Sequence, residues 1–422
     1  MTTFNETRPT RRRAPGSLAA GLLACIAAGC SEAPLGPLTV TELATPAGDF
    51  SGQAHLAAAP DGAAVLSWLE PTTGDGMGLK YTVLPAGSDT WTPPRQLAEG
   101  ENWFVNWADF PSIVPMSASV WAAHWLVYQE DFEGYDIVVA VSSDAGGTWG
   151  EPFLLNSDGT PTEHGFVTLF PLGEDIAAVW LDGRNMIVDG EFTYESPAGD
   201  MLGTSLRYAR FDRDGRRISD AEIDNLVCDC CQPDIAQTGD GPILIYRDRT
   251  TEEVRDIVVR RMTVGEWHAA QPLPADNWVI EACPINGPAI AADGEDVAAA
   301  WFSAVDAQPV VHYARSADGG ASFGDSIEID AAGSFGYVDV ELLANGDAVV
   351  SWLRSSGENL SFATRRVSPS GELGPVEPVA LVDLSRPLDF PQMVSAGDRV
   401  IFVWTDYTTG SNVKTAAGSY RP

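Results

Sequence analysis

Four cysteines form the most unusual chemical feature of this 422-residue chain. Cys228, Cys230 and Cys231 lie within four positions, and Cys283 follows in a Cys-Pro-Ile-Asn-Gly-Pro segment. In an exported protein an even set of four predicts two disulfides. We expect Cys283 to bridge to one member of the triplet, and the other two to pair as Cys228 with Cys230 or as Cys230 with Cys231. The alternatives are a copper or zinc site with four thiolates, or with three thiolates and His164, and a mixed redox site.

Carboxylates recur at a second set of positions, each two residues after an aromatic residue that ends an apolar run. They are Glu70, Glu130, Asp182, Asp248 and Asp406. Carboxylates brought together in this way can bind a cation such as Ca²⁺, or supply an acid and a base with different pKa values. The alternative is that these are polar strand ends in contact with solvent.

A repeated unit must position these residues. An apolar strand, a tight turn and an Ala/Val-rich strand ending in an aromatic residue recur seven times, with the aromatic residues 51 to 66 residues apart. They are Trp68, Tyr128, Trp180, Tyr246, Trp301, Trp352 and Trp404. Four strands per unit of about 55 residues predict an all-β propeller, in which each sheet buries both faces against its neighbours.

The last copy of the repeat lacks a fourth strand, and residues 38–43 can supply it. We therefore predict seven four-stranded blades closed by the N-terminal strand, with six blades as the alternative. Loops after the second strands and loops between blades then share one face. The link between the first two blades carries Trp103 and Trp107, which would suit either sugar stacking or packing between blades. The third copy has an insertion over residues 185–204, in a place where propellers carry binding loops.

Two segments carry a turn motif between the third and fourth strands. Residues 142–149 (SSDAGGTW) fit S-x-D-x-G-x-T-W, and residues 316–323 (SADGGASF) fit it with conservative changes. The chain thus resembles the BNR, or Asp-box, family that includes sialidases. The resemblance implies a propeller, and it implies an exo-sialidase-type glycoside hydrolase less strongly, because Asp boxes are structural and fold does not give function.

By that resemblance, three arginines would hold the carboxylate of a substrate through planar, bidentate pairing. The candidates are Arg184, Arg247 or Arg249, and Arg354, with structural ion pairs as the alternative. The catalytic candidates are Asp182, Glu130, Asp248 and Tyr128. The chain lacks the Arg-Ile-Pro motif that sialidases carry, and it shows no clear tyrosine–glutamate pair. A non-catalytic propeller that binds a glycan or a cell-surface protein therefore stays open, as does a metal or redox protein, and no cofactor is required.

The first 29 residues are typical of a lipoprotein signal peptide, with four arginines before a short apolar run. That run ends in Ala-Ala-Gly-Cys, which predicts lipidation of Cys30, a linker over residues 30–37 and a propeller over residues 38–422. The alternative is an ordinary signal peptide. We expect an exported protein at the outer membrane or cell surface, held to the membrane only through its lipid.

The net charge is −34, from 25 basic and 59 acidic residues. So negative a surface argues against nucleic acid and anionic lipid as partners. It suits solubility, and we expect a monomer.

Overall fold

The computed structural model describes residues 35–129, 134–274, 276–331, 333–356, 359–382, 389–397 and 399–420. The predicted signal peptide, Cys30 and Glu130 lie outside these residues. Within them, no helix is long and apolar enough to cross a lipid bilayer.

Seven antiparallel sheets form the blades of a propeller with four strands per blade, and in blades 1 to 6 the strands follow one another along the chain. The strands of blade 1 are Gly52–Ala58, Ala64–Pro71, Met77–Leu84 and Arg95–Gly100. Those of blade 2 are Ser112–Pro115, Trp121–Tyr128, Tyr135–Ser142 and Phe153–Leu154. Those of blade 3 are His164–Leu172, Asp175–Asp182, Ser205–Phe211 and Arg217–Asp224.

In blade 4 two short strands share the fourth position. The strands of blade 4 are Asp234–Thr238, Gly241–Arg247, Ile257–Thr263, Glu266–Trp267 and Gln271–Pro272. Those of blade 5 are Ala289–Asp293, Asp296–Ser303, Val310–Ser316 and Ile327–Asp330. Those of blade 6 are Ser334–Leu342, Ala348–Ser356, Asn359–Val367 and Leu373–Val382. Two 3₁₀ helices, Arg184–Met186 and Val305–Ala307, and a small hairpin, Ile187–Val188 with Glu191–Phe192, complete the elements.

Blade 7 is closed by the N-terminal strand, as predicted. Its first three strands are Gln392–Ala396, Arg399–Asp406 and Asn412–Tyr420. Leu38–Leu43 pairs antiparallel with the third of these, from Leu38 opposite Tyr420 to Leu43 opposite Thr415. The prediction of seven blades is confirmed, and the alternative of six is wrong.

The core lies between adjacent blades and is built around the repeated aromatic residues. Trp68, Trp180, Trp301 and Trp352 are fully buried, and small residues beside them, such as those of the Ala-Ala-Ala run at 298–300, let the sheets approach. Blade 2 corrects the sequence analysis. Its buried residue at this position is Trp125, whereas Tyr128 is 46% exposed at the end of the strand. Glu130 is therefore not the equivalent of Glu70 in the repeat.

The two segments interpreted as Asp boxes have matching hydrogen bonds. Asp144 accepts the Ser142 hydroxyl at 2.8 Å and the Thr148 backbone N–H at 2.7 Å. Asp318 accepts the equivalent groups of Ser316 and Ser322 at 2.7 and 2.9 Å. These bonds fix the turn, so the aspartates have a structural role.

Three blade junctions share the same hydrogen-bonding arrangement. A carboxylate or amide oxygen just before one blade accepts the backbone N–H of a residue with positive φ at the start of the next blade, each at 2.8 Å. The pairs are Asp389 with Gln53, Asp109 with Phe166, and Asn286 with Tyr337. In each case a glycine precedes the donor, because a Cβ there would lie within 3.0 Å of the acceptor side chain.

Candidate functional site

One face of the propeller carries both the loops that follow the second strands and the loops between blades. Of the twelve large apolar side chains that are exposed in the described residues, nine lie on this face or at the strand ends beside it: Phe50, Val105, Tyr128, Phe192, Tyr194, Met201, Val279, Phe335 and Leu381. Exposed apolar groups concentrated in one region of a monomer mark an interaction site. This face is therefore the candidate binding face.

Aromatic residues meet at the axis of this face. Trp107 stacks on Phe390 with 6.1 Å between ring centroids, and Tyr337 contacts Phe390 edge-on at 4.8 Å. Phe390 also lines a cavity of about 300 Å³ enclosed by the first strands of the blades. Trp103 is buried against Trp125 at 5.7 Å. Both tryptophans proposed for sugar stacking thus make packing contacts, which favours the alternative interpretation.

The four clustered cysteines form two disulfides, Cys228 with Cys231 and Cys230 with Cys283. The prediction that Cys283 bridges to the triplet agrees with this arrangement. Both expected local pairs are wrong, because a turn at residues 229–230 brings the first and last residues of the segment together, with Cα atoms 5.7 Å apart. With all four sulfurs bonded, the geometry favours disulfides over a thiolate metal site.

Charged residues surround the disulfide-bonded loop. Arg249 contacts Glu253 at 2.6 Å and Asp229 at 3.1 Å. Arg255 contacts Glu253 at 3.0 Å, and its Nη1 lies 3.6 Å from the sulfur of Cys228. Burial disfavours the charged form of Arg249, but the carboxylates of Glu253 and Asp229 outweigh it and raise the pKa of Arg249. The loop is therefore held to the second-strand loop of blade 4 by ion pairs.

A second charged cluster lies at the junction of blades 2 and 3. Arg184 forms a bidentate pair with Asp182, through bonds of 2.8 and 2.7 Å, and also contacts Asp158 at 3.1 Å. His164 Nε2 lies 3.4 Å from Asp158 and 3.8 Å from Asp182. Burial opposes the charge on Asp158, yet hydrogen bonds from His164 and Thr160 hold the pKa of its carboxyl well below its usual range. Burial likewise opposes a charged His164, but the two carboxylates raise its pKa.

These residues have the composition of a metal site. The ligand atoms of Asp158, His164 and Asp182 lie within 4.8 Å of one another. The Arg184 guanidinium already supplies a cation to both carboxylates, so this set is better explained as a salt-bridge network. His164 belongs to this cluster and not to the cysteines.

The remaining predicted arginines are also engaged. Arg247 is 2% exposed and donates to three backbone carbonyls, those of Asn286 at 3.0 Å and of Arg255 and Phe302 at 2.7 Å. Its burial lowers the pKa of Arg247 to about 9. Arg354 contacts Asp330 at 3.2 Å. All four candidate arginines thus have partners within the protein, which favours structural ion pairs over a clamp for a substrate carboxylate.

The predicted acids and Tyr128 occupy different environments. Burial and the nearby charge of Asp224 raise the pKa of Asp248 to about 6. Asp182 is fully buried beneath Arg184, and Tyr128 contacts Phe104 edge-on at 5.4 Å. These three residues thus have different surroundings, and their catalytic roles stay a prediction.

A cleft between the blade 3 insertion and the disulfide-bonded loop was missed by the sequence analysis. One part is a cavity of about 340 Å³ lined by Tyr194, Glu195 and Arg249. A second cavity, of only about 20 Å³, is lined by Glu163 and Asp229. Arg249, which lines the first cavity, contacts Asp229, which lines the second, at 3.1 Å. We call these five residues and the space between them the blade 3–4 cleft.

The sequence did contain a signal for the cleft. Asp229 lies inside the cysteine triplet and Glu163 directly precedes His164, so both are next to residues that were predicted to form disulfides or bind a metal. Burial and the charge of Asp229 raise the pKa of Glu163, and His164 offsets this only in part.

The chain matches no family model and no curated protein sequence, so the resemblance to the Asp-box family stays a prediction. Solved structures do share its fold. A protein of unknown function from Dyadobacter fermentans DSM 18053 is 14% identical with a TM-score of 0.51, over 91% of this chain and 99% of that one.

Two glycosidases also match, at lower scores. The NanB sialidase of Streptococcus pneumoniae is 8% identical with a TM-score of 0.45, over 90% of this chain and 94% of that one. An α-L-arabinofuranosidase from Fusarium graminearum is 11% identical with a TM-score of 0.44, over 91% and 98%. At these identities the likeness is one of fold alone.

Proposed function

We propose that this protein is an exported propeller that binds a glycan in the blade 3–4 cleft. The observation that supports this proposal most directly is an exposed aromatic pair on the insertion. Phe192 and Tyr194 contact each other edge-to-face at 5.0 Å and are 52% and 65% exposed. Tyr194 lines the larger cavity of the cleft, and Phe192 packs against it from outside that lining. An aromatic ring offers a large apolar surface with few rotatable bonds, and such a surface fits the C–H face of a sugar ring.

Polar groups at the same cavity can orient a ligand. Glu195 and Arg249 line it beside Tyr194, and a few placed polar groups among apolar ones are typical of small-ligand sites. The engaged arginines argue against recognition of a sialic acid carboxylate. Glycan binding without a sialidase mechanism is thus the function we favour.

The decisive experiment is a glycan array followed by calorimetry on the best ligand. We expect Tyr194→Ala and Phe192→Ala to weaken binding about tenfold or more, as for anchor residues at the centre of a site. Val264→Ala is the control, because Val264 is fully exposed in a hairpin at the opposite face. Unchanged affinity in both aromatic variants would place the site elsewhere.

Hydrolysis is a second candidate, because Glu163 and Asp229 line one cavity, and burial and the charge of Asp229 raise the pKa of Glu163. Two carboxyls whose surroundings give them different pKa values can serve as an acid and a base. The test is the release of reducing ends from the bound glycan. Activity that is lost in Glu163→Gln while binding persists would support hydrolysis, and a wild-type protein that releases none would exclude it for that glycan.

We also propose that the protein is exported and lipid-anchored through Cys30. Its two disulfides support an oxidising compartment. Metabolic labelling with a fatty acid should mark the wild type and not Cys30→Ala. Equal labelling of the two would contradict the anchor.

A further inference from the structure

We infer that the two disulfides form a thiol–disulfide exchange relay, which takes up two electrons from an external dithiol at Cys283 and passes them to the buried pair of Cys228 and Cys231. The substrate class of this activity is a dithiol. The activity does not depend on glycan binding, because it uses sulfurs that the proposed glycan site leaves unused.

The four cysteines differ in their access to solvent. Cys283 is exposed, as are the two residues before it, whereas Cys228, Cys230 and Cys231 are 1%, 9% and 1% exposed. Exposed disulfides are the labile ones, and exchange begins at the sulfur that the incoming thiolate can reach. An external dithiol therefore enters at Cys283, in its bond to Cys230.

The sulfurs of the triplet lie close together although they belong to different disulfides. Those of Cys228, Cys230 and Cys231 are all within 4.8 Å of one another. Cys230 is bonded to Cys283, and the other two are bonded to each other. Exchange proceeds by attack of a thiolate on a disulfide sulfur. A thiolate freed at Cys230 would thus face the second disulfide within its own loop.

A buried guanidinium favours one direction of this internal attack. Arg255 is 2% exposed, and its Nε and Nη2 donate to Glu253 at 3.3 and 3.0 Å. Its Nη1 donates instead to the Cys228 sulfur at 3.6 Å. A cation beside a sulfur stabilises the thiolate and makes it the better leaving group. Cys228 is therefore the sulfur expected to leave.

The carboxylates beside Arg255 are shared with a second guanidinium. Arg249 contacts Glu253 at 2.6 Å and Asp229 at 3.1 Å, while Arg255 Nη1 lies 3.8 Å from Asp229. Two guanidiniums thus balance two carboxylates in this cluster. Arg255 Nη1 can approach a Cys228 thiolate while Nε and Nη2 keep their bonds to Glu253.

The exchange balances in three steps. A thiolate of the external dithiol attacks the Cys283 sulfur, the bond to Cys230 breaks, and Cys230 leaves as a thiolate. The Cys230 thiolate attacks the Cys231 sulfur, the bond to Cys228 breaks, and Cys228 leaves as a thiolate. The second thiol of the reagent loses its proton and attacks its own sulfur in the mixed disulfide, which releases Cys283 to take up a proton. The reagent is oxidised by two electrons to its disulfide, and the protein keeps one disulfide, between Cys230 and Cys231, and two reduced cysteines.

Removing Cys283 tests the internal step without any reductant. In Cys283→Ser the cluster carries one free thiol, at Cys230, beside the bond between Cys228 and Cys231. We expect exchange to move part of that thiol to Cys228. Alkylation of the full mature protein at acidic pH, which halts exchange, followed by peptide mapping measures the ratio of Cys228 thiol to Cys230 thiol.

A charge variant on the same background tests the guanidinium. Adding Arg255→Gln to Cys283→Ser should lower that ratio about tenfold, the effect of stabilising a thiolate by one pKa unit. Arg260→Gln is the matched control, because Arg260 pairs with Asp224 at 3.0 Å elsewhere in blade 4, and it should leave the ratio unchanged.

Uptake from outside is tested on the wild type with one equivalent of dithiothreitol. We expect alkylation at early times to mark Cys230 and Cys283, and at later times to mark Cys228 and Cys283. Reduced thioredoxin at the same concentration distinguishes the two sources of a dithiol. Faster reaction with thioredoxin would assign the site to protein dithiols, and faster reaction with dithiothreitol would assign it to small ones.

Each contrary outcome overturns a defined part of the inference. A free thiol that stays on Cys230 in Cys283→Ser would show that the internal step does not occur and that the disulfides are structural. A thiol that moves to Cys231 would overturn the role of Arg255. If Cys283→Ser does not fold, the wild-type time course decides, and a bond between Cys228 and Cys231 that stays closed at late times would overturn the relay.

Discussion

The buried carboxyl of Asp109 makes stability depend on pH in a way that one substitution can isolate. Asp109 is 2% exposed and lies between blades 2 and 3. It accepts the Phe166 backbone N–H at 2.8 Å and the Tyr135 hydroxyl at 3.1 Å. Burial raises the pKa of Asp109 from 3.8 to about 7, against the lowering effect of these two hydrogen bonds.

The sign of the effect follows from where the proton is bound. Between about pH 4 and pH 7 the folded protein holds a proton on Asp109 that the unfolded chain releases, so this contribution to stability is complete below about pH 4 and is lost as the pH rises through 7. At about 1.4 kcal/mol per pH unit, the free energy of unfolding falls by about 4 kcal/mol across this window.

Asp109→Asn keeps the shape and cannot ionise. At pH 8 we expect the variant to be more stable than the wild type by about 3 kcal/mol, which is the roughly 4 kcal/mol above less about 1 kcal/mol for one hydrogen bond that the amide weakens. At pH 4 only that weaker hydrogen bond remains, so the variant should be slightly less stable. Urea unfolding at pH 4, 6 and 8 measures the difference, in which the contributions of all other acids cancel. Asp240→Asn, at an exposed turn, is the control. Parallel pH profiles for the wild type and Asp109→Asn would refute the reasoning.

Three further predictions test the same framework. Gly165→Ala would place a Cβ 1.8 Å from Asp109 Oδ2, so we expect thermal unfolding to show a loss of about 3 kcal/mol or more; Gly324→Ala, whose Cβ would have its nearest neighbour at 3.6 Å, should be mild, and equal effects would contradict the clash. Arg184→Met removes the guanidinium that pairs with the fully buried Asp182 and leaves His164 nearby, at 3.8 Å, so it should cost about 3–5 kcal/mol, whereas a variant as stable as the wild type would show that the pair contributes little. Mild reductant should open the bond of the exposed Cys283 to Cys230 before that between the buried Cys228 and Cys231, as peptide mapping of alkylated thiols can show, and simultaneous release of four thiols would contradict this order.

The sequence was sufficient for the architecture because the repeat is a property of the chain itself. The closing strand has the predicted bounds, Leu38–Leu43, since the last repeat was visibly one strand short. The repeat failed locally at the strand Trp121–Tyr128, which contains three aromatic residues. Pattern alone could not show that the second of these, Trp125, is the one that packs between blades.

The site was less predictable because its contacts depend on loop conformation. The turn that joins Cys228 to Cys231 excludes both of the local pairs that spacing suggested. The cleft depends on how the insertion folds against the disulfide-bonded loop, which brings Tyr194 and Arg249 to one cavity although they lie 55 residues apart. No periodic signal encodes such a contact.

Two of the carboxylates that follow the repeated aromatic residues have a simpler explanation than catalysis. Trp68 donates its indole N–H to Glu70, and Trp180 donates to Asp182, both at 2.8 Å. In blades 5 and 6 the acceptor comes instead from the link or strand before the blade: Trp301 donates to Asp276 at 2.7 Å and Trp352 to Asp330 at 2.8 Å.

In these two blades the position two residues after the tryptophan does not need to be acidic, and it holds Ser303 in blade 5 and Arg354 in blade 6. A buried indole N–H requires an acceptor, so each of these blades supplies one carboxylate from one of two places. The acidic residues at Glu70 and Asp182 therefore reflect how blades 1 and 3 anchor their tryptophans.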